Sequence, residues 1–243
     1  MIPEIEMASN FEIKDFQEKK MKELLVYLSQ KSEFYKQLFE KENINISEIK
    51  TLEDLQKIRE VCDANNLKFH LDGARIWNAL IAKNQDPKAF GKLFDTISVC
   101  LSKGLGAPIG SVLLADKKTI HRALRIRKIL GGGMRQVGYL AAAGIYALNH
   151  NVERLADDHR RAKELAEVLK NAIWVAAVEP VETNILIFSV VPSISEAVLI
   201  EKLKQKNISI SAMGFGKLRI VTHLDYREVM HTYVLETLEK LVF

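Results

Sequence analysis

A chain of 243 residues has room for one large domain or two modest ones, and 48% hydrophobic with 27% charged residues is the balance of an ordinary globular protein. The net charge of +4 is mild, with Lys and Arg interleaved among Asp and Glu, which argues against a nucleic-acid or acidic-membrane surface. No apolar run approaches the roughly 18 residues of a membrane helix, and "MIPEIEMASNFEIKDFQ" places acids and amides where a signal peptide needs an apolar stretch, so a cytoplasmic protein is expected.

Glycine divides the chain. All twelve glycines fall at or after Gly73. Up to about Ile58 the sequence is charged, and "FQEKKMKELLVYLSQKSEFYKQLF" repeats its apolar positions at helical spacing. "IREVCDANNL" then predicts a helix ending in polar residues, "KFHLD" (68–72) a short strand, and "GARIWNALIAK" a helix. Strands are expected around 94–101 and 110–115, and helices over 117–130, 136–149 and 152–171. The tail alternates strand 184–190, helix 195–206, strands 208–213 and 217–223, and a last helix from about Tyr226. This alternation predicts an α/β architecture with a smaller α+β layer at the end. Cys62 and Cys100 are expected to be reduced packing residues rather than a disulfide.

In "ISVCLSKGLGAPIGSVLLA" a lysine, Lys103, leaves the end of one apolar run ahead of a glycine-rich turn. Ligands of open α/β sheets sit beyond the carboxyl ends of strands, and an amine there, half desolvated, becomes a usable nucleophile toward an aldehyde. The bland alternative is a lysine snorkelling to solvent, which this stretch alone favours. Asp72, in "HLDGARIWNA", also ends a strand. Such a carboxylate either faces a cation, for which a protonated pyridine nitrogen is a candidate, or caps the next helix and pairs with Arg75.

The stretches "HLDGARIWNA", "FDTISVCLSKGLGAPIGSVL", "LRIRKILGGGMRQVGYLAAAGIYAL" and "RLADDHRRAKELAE" resemble the low-specificity L-threonine aldolases of the β-eliminating lyase group, from about Arg59 onward. The resemblance implies a partial fold type I of the pyridoxal 5'-phosphate enzymes, with a large domain over 59–150 and a small domain over 151–243. It implies cleavage of L-threonine or L-allo-threonine to glycine and acetaldehyde, in a homo-oligomer with sites at subunit contacts. By the same resemblance Lys103 bonds the cofactor aldehyde, Asp72 partners the pyridine nitrogen and Arg75 contacts the phenolic oxygen. Ser102 and Arg135 help to hold the phosphate, and Arg219 with Arg135 the substrate carboxylate. Gly131–Gly133 fit the family, and also fit a plain helix terminator.

The family's early substrate-recognition segment, its phosphate-binding turn and its ring-stacking histidine have no counterpart before "HLDGAR", and none of the six histidines is assigned as the β-hydroxyl base. Residues 1–58 instead resemble the start of phenylacetate–coenzyme A ligases, of the adenylate-forming family, through "SEFYKQLF" and "TLEDL". The chain therefore reads as a junction of two fragments near Gln56–Arg59. The alternatives to a lyase are a non-catalytic remnant and an interaction module built on the ligase-like helices.

Overall fold

The computed structural model describes residues 52–243, with side chains from Gln56 onward. The expected helices of residues 16–39 lie outside the described residues. The chain divides into two compact units, 1–69 and 70–243.

In the first unit, α1 (Leu52–Ala64) stops in a Schellman motif. Asn66 takes φ +54°, Leu67 N–H bonds to Cys62 O at 2.8 Å and Asn66 N–H to Asp63 O at 3.2 Å. The same device recurs in the second unit at Asn84 (φ +50°), Asn207 (φ +58°) and Gly131 (φ +82°). An αL residue satisfies carbonyls that the helix leaves orphaned, and asparagine tolerates that conformation better than most L residues.

The second unit holds two sheets. In the first, β1 (His70–Gly73) runs parallel to β2 (Thr96–Cys100), and β2 runs antiparallel to β3 (Ser111–Ala115), in the order β1-β2-β3. Between β1 and β2 lie α2 (Ile76–Lys83) and α3 (Pro87–Leu93). The latter was not anticipated, although Asp86 caps it through Lys88 N–H at 2.9 Å and Pro87 opens it. After β3 come α4 (Lys117–Ile129), capped by Asp116, and α5 (Gly138–His150). Ile97 and Val99 are buried along β2, and Leu101, just beyond it, forms a small core with Leu105, Ala107, Ala147 and Leu155 against Trp77 and Ile81.

The long α6 (Leu155–Lys170) leads into the second sheet. Its strands β4 (Val175–Val178), β5 (Ile185–Val190), β6 (Ser211–Gly214) and β7 (Lys217–Val221) are antiparallel, in the order β4-β5-β7-β6. Helix α7 (Glu196–Lys204) joins β5 to β6, and α8 (Glu228–Glu239) follows β7. Strand β4 escaped the sequence reading because "VAAV" is too short and too weakly alternating to stand out. The expected strand from 208 starts only at Ser211, because Asn207 and Ile208 close the end of α7. Leu165, Leu169, Leu186, Phe188, Leu199 and Leu218 are completely buried or nearly so and make the main core. Cys62 and Cys100 form no disulfide. No described helix is long and apolar enough to cross a membrane.

Candidate active site

Parallel pairing puts the carboxyl ends of β1 and β2 side by side. Asp72 lies opposite Ser98 in the register, and Ser98 Oγ donates to Asp72 Oδ1 at 3.5 Å. Gly73 cannot be larger: a Cβ there would stand 2.9 Å from Ser98 O. Asp72 does not cap α2, whose N-cap is Arg75 without a side-chain bond. Its carboxylate accepts Ala74 N–H at 3.3 Å. Among the described residues no cation lies within ion-pair distance of it. Arg75, in the turn after β1, is exposed like Asp72.

Beyond β2 the chain makes a closed turn around Lys103. Gly106 N–H bonds to Lys103 O at 2.9 Å, Ala107 N–H to Leu101 O at 3.0 Å and Leu101 N–H to Gly110 O at 3.0 Å. Leu101, Leu105 and Ala107 are buried, so apolar anchors hold both sides of an exposed lysine. Glycine permits the close approach: Gly106 has φ +72°, and a Cβ on it would meet Leu224 Cδ2 at 2.6 Å. A Cβ at Gly104 would meet Leu155 Cδ2 at 2.9 Å. The corner between α5 and α6 grips the same turn, with Asn151 Nδ2 donating to Leu105 O at 2.7 Å and Arg154 Nη1 to Gly104 O at 3.2 Å.

Lys103 thus has the strand-end position expected of it but not the half-desolvated setting. It is exposed, and so is its neighbour Ser102, because the described elements leave the Asp72 end of the β1–β2 pair uncovered. Arg135 is exposed in the turn before α5 and has no hydrogen-bond or ion-pair partner among the described residues. The triple glycine does terminate a helix: Gly131 adopts αL, and Gly132 N–H bonds to Arg127 O at 2.8 Å.

Arg219 belongs to the second sheet. It lies on β7, an interior strand, opposite Ile187 and Ser211, rather than on a solvated edge. It lines a cleft of about 250 Å³ with Ser209, Ser211, His223 and Tyr226, and its Nε is buried without a hydrogen-bond partner. An orphaned guanidinium nitrogen beside a cleft calls for an anionic acceptor. Among the described residues, no hydrogen bond or ion pair joins Arg135 or Arg219 to Asp72, Arg75, Ser102 or Lys103.

The supporting residues were not legible in the sequence. Asp158, fully buried, bonds to Arg154 at 2.6 Å. Burial pushes its carboxyl up from the ordinary value, against the opposing charge and hydrogen bond of Arg154. His159 Nε2 lies 3.0 Å from Asn78 Oδ1, and burial, with Lys163 nearby, pushes that imidazole down. His231, also buried, lies 2.6 Å from Glu164 and 3.1 Å from the Tyr226 hydroxyl. Burial raises the Glu164 carboxyl, yet the bonds from Arg160 and His231 outweigh this and hold it below the usual range. Only the "DDHRR" cluster inside an amphipathic helix hinted at these partners.

Comparison with known proteins settles the relationship. A profile described as "Beta-eliminating lyase" matches residues 43–192, starting ahead of the Arg59 boundary. The chain belongs to the beta-eliminating lyase family. It is 45% identical over 184 residues to the low specificity L-threonine aldolase of Escherichia coli K12, covering 76% of this chain and 54% of that one. It is 39% identical over 193 residues to a probable low-specificity L-threonine aldolase 2 of Arabidopsis thaliana, covering 78% and 54%. The fold is similar to a putative L-allo-threonine aldolase from Listeria monocytogenes, with TM-score 0.65, 22% identity and 79% and 56% coverage. It is also similar to the threonine aldolase of Leishmania major, with TM-score 0.61, 19% identity and 81% and 59% coverage. The chain spans about half the length of the curated relatives it matches. Its fold is that of fold type I pyridoxal phosphate enzymes, α/β with a smaller α+β layer at the C-terminal end.

The donor set fits such a cofactor. Asp72 ends β1, Lys103 follows the tip of the neighbouring β2, and among the described residues neither Asp72 nor Arg75 has an ion-pair partner.

Proposed function

We propose that this chain carries the lysine-bearing part of a pyridoxal-phosphate-dependent aldehyde-lyase that cleaves L-threonine or L-allo-threonine to glycine and acetaldehyde. The observation that carries the reading is the β1–β2 pair: it seats Asp72 beside Ser98 and launches Lys103 from a turn clamped by Arg154 and Asn151. The identities to curated threonine aldolases support it.

In this reading Lys103 binds the cofactor through its amine, and Asp72 keeps the proton on the pyridine nitrogen. Arg75 contacts the phenolic oxygen, and Ser102 and Arg135 hold the phosphate. The cofactor, when bound, spreads the electron pair left on Cα as the Cα–Cβ bond breaks. Arg219, with Arg135, would grip the substrate carboxylate and so fix the orientation of the bond to be broken. The chain acts in the cytoplasm as a homo-oligomer, with its exposed β3–α4–α5 face at subunit contacts. Residues 1–58 are a ligase-like segment joined to a large domain over 59–150 and a small domain over 151–243.

A second reading, a non-catalytic remnant that keeps the lysine and small domain but does not hold the cofactor, is favoured by the exposure of Lys103 and Asp72. An open site leaves charges in water, where electrostatic stabilisation is weak. The test is a visible spectrum of the purified chain with pyridoxal phosphate, followed by an assay of glycine release from L-threonine. A new band that disappears in Lys103→Ala is expected, with slow turnover. No band in the wild-type chain defeats the lyase reading and selects the remnant, and a band without glycine release defeats the claim of cleavage by this chain.

A further inference from the structure

We propose that Arg154 and Asp158 form a positioning pair that holds the Lys103 turn and ties it to the strand bearing Arg219. This rests on the reading of Lys103 as the cofactor lysine.

The argument starts from what a buried carboxylate requires. Asp158 is wholly buried on α6, and its Oδ2 has no hydrogen-bond partner. Its short charged contact is Arg154 Nη2 at 2.6 Å, whereas Arg161 stands at 3.9 Å. A carboxylate so placed keeps its charge only through such a partner, so the guanidinium is held as firmly as the helix is. The other arm of the same fork, Nη1, donates to Gly104 O, one residue past Lys103. Asn151 holds the next carbonyl, that of Leu105. The exposed lysine therefore leaves a main chain whose two following carbonyls are fixed from α6 and its preceding turn.

Asp158 also faces the other sheet. Its main-chain carbonyl accepts the Thr222 hydroxyl at 2.7 Å. Thr222 N–H in turn bonds to Asn184 O at 3.0 Å, extending the β5–β7 ladder just beyond Val221. Thr222 is three residues beyond Arg219. One residue thus reaches the Lys103 turn through its side chain and the Arg219 strand through its backbone. The two groups that must serve one small substrate come from different sheets, and this is a short bonded path between them.

Asp158→Asn keeps the shape but strands the largely buried guanidinium of Arg154, so the thermal midpoint should fall under either a structural or a positioning role. A positioning role adds that the Lys103 turn loosens more than the rest of the chain. Arg154→Lys provides a second variant, because one ammonium cannot reproduce a fork that bridges two oxygens.

Two measurements decide the matter. Amide exchange at Gly106 and Ala107, whose N–H groups close the turn, should speed up about tenfold in both variants, the size expected for a lost hydrogen bond to a charged group. Exchange within twofold of wild type overturns the pair, whatever the cofactor does. Separately, each protein is treated with pyridoxal phosphate, reduced with borohydride and mapped by peptide mass spectrometry. Modification at Lys103 should slow by about tenfold in the variants, with exposed Lys117 and Lys118 unchanged. Wild-type Lys103 reacting no faster than Lys117 sinks the cofactor-lysine reading and the pair's purpose with it.

Discussion

The two sheets of the second unit differ in how completely they cover themselves. The β4–β7 sheet has helices packed on it and a core in which Leu186, Leu199, Leu203 and Leu218 have no exposure at all. The β1–β3 sheet leaves four of the five residues of β3 exposed, and α4 buries none of its thirteen. Leu113, Leu114, Ile126, Ile129, Leu130 and Tyr139 all face outward. An apolar face of that extent marks a surface meant to be covered, whereas the second region satisfies itself. Stability is concentrated in one sheet and the candidate chemistry mostly in the other.

The largest expected effect that tests this contrast is a core deletion. Phe188→Ala, at a residue 1% exposed, should destabilise by about 3–5 kcal/mol in denaturant unfolding. Leu113→Ala on β3 should change stability by less than about 0.5 kcal/mol. Equal losses would remove the distinction between the regions.

A smaller effect is expected at Gly106→Ala. The φ of +72° and the 2.6 Å approach of Leu224 should together cost more than about 1 kcal/mol in thermal melts, because Leu224 must shift to admit the methyl group. A neutral Gly106→Ala would mean that the Lys103 turn is not tightly held.

The pH profile offers a third test. His159 is held below its ordinary value of 6.5, so the unfolded chain binds more protons than the folded one as pH falls through that value. Stability should therefore decline just below pH 6.5, and His159→Gln should flatten that part of the curve. A second decline should follow below about pH 4.5, where Glu164, held down by Arg160 and His231, is ordinarily protonated. Asp158, shifted upward, works in the opposite direction and blunts the second decline. A curve unchanged by His159→Gln would contradict its neutral, buried state.

The mildest test lies on the open face. Ile129→Lys, at a residue 73% exposed, should leave the melting temperature almost unchanged and reduce concentration-dependent association in light scattering. Unchanged association would show that this face does not drive it.

Much of this fold was legible residue by residue. Periodicity located α2 and α4 to α8 within a few residues, and the positions of Lys103 and Asp72 at strand ends followed from where apolar runs give way to glycine. Helix α3 and strand β4 were missed because each is short and its apolar pattern is too brief to register. The Asn66, Asn84 and Asn207 caps could have been suspected from asparagine beyond an apolar run, but their αL geometry is a property of the folded backbone.

Sequence alone determined the order of the longer elements, the family motifs and the identity of the groups available for chemistry, because these depend on local pattern and residue type. Tertiary structure decided that Asp72 lies beside Ser98, that Lys103 is exposed on a clamped turn, and that Arg219 sits on an interior strand with a buried, unpartnered nitrogen. It also decided that Asp158 and Arg154 hold that turn. Such facts depend on which distant segments meet and on how much water remains between them, and neither quantity is written in any one stretch of residues.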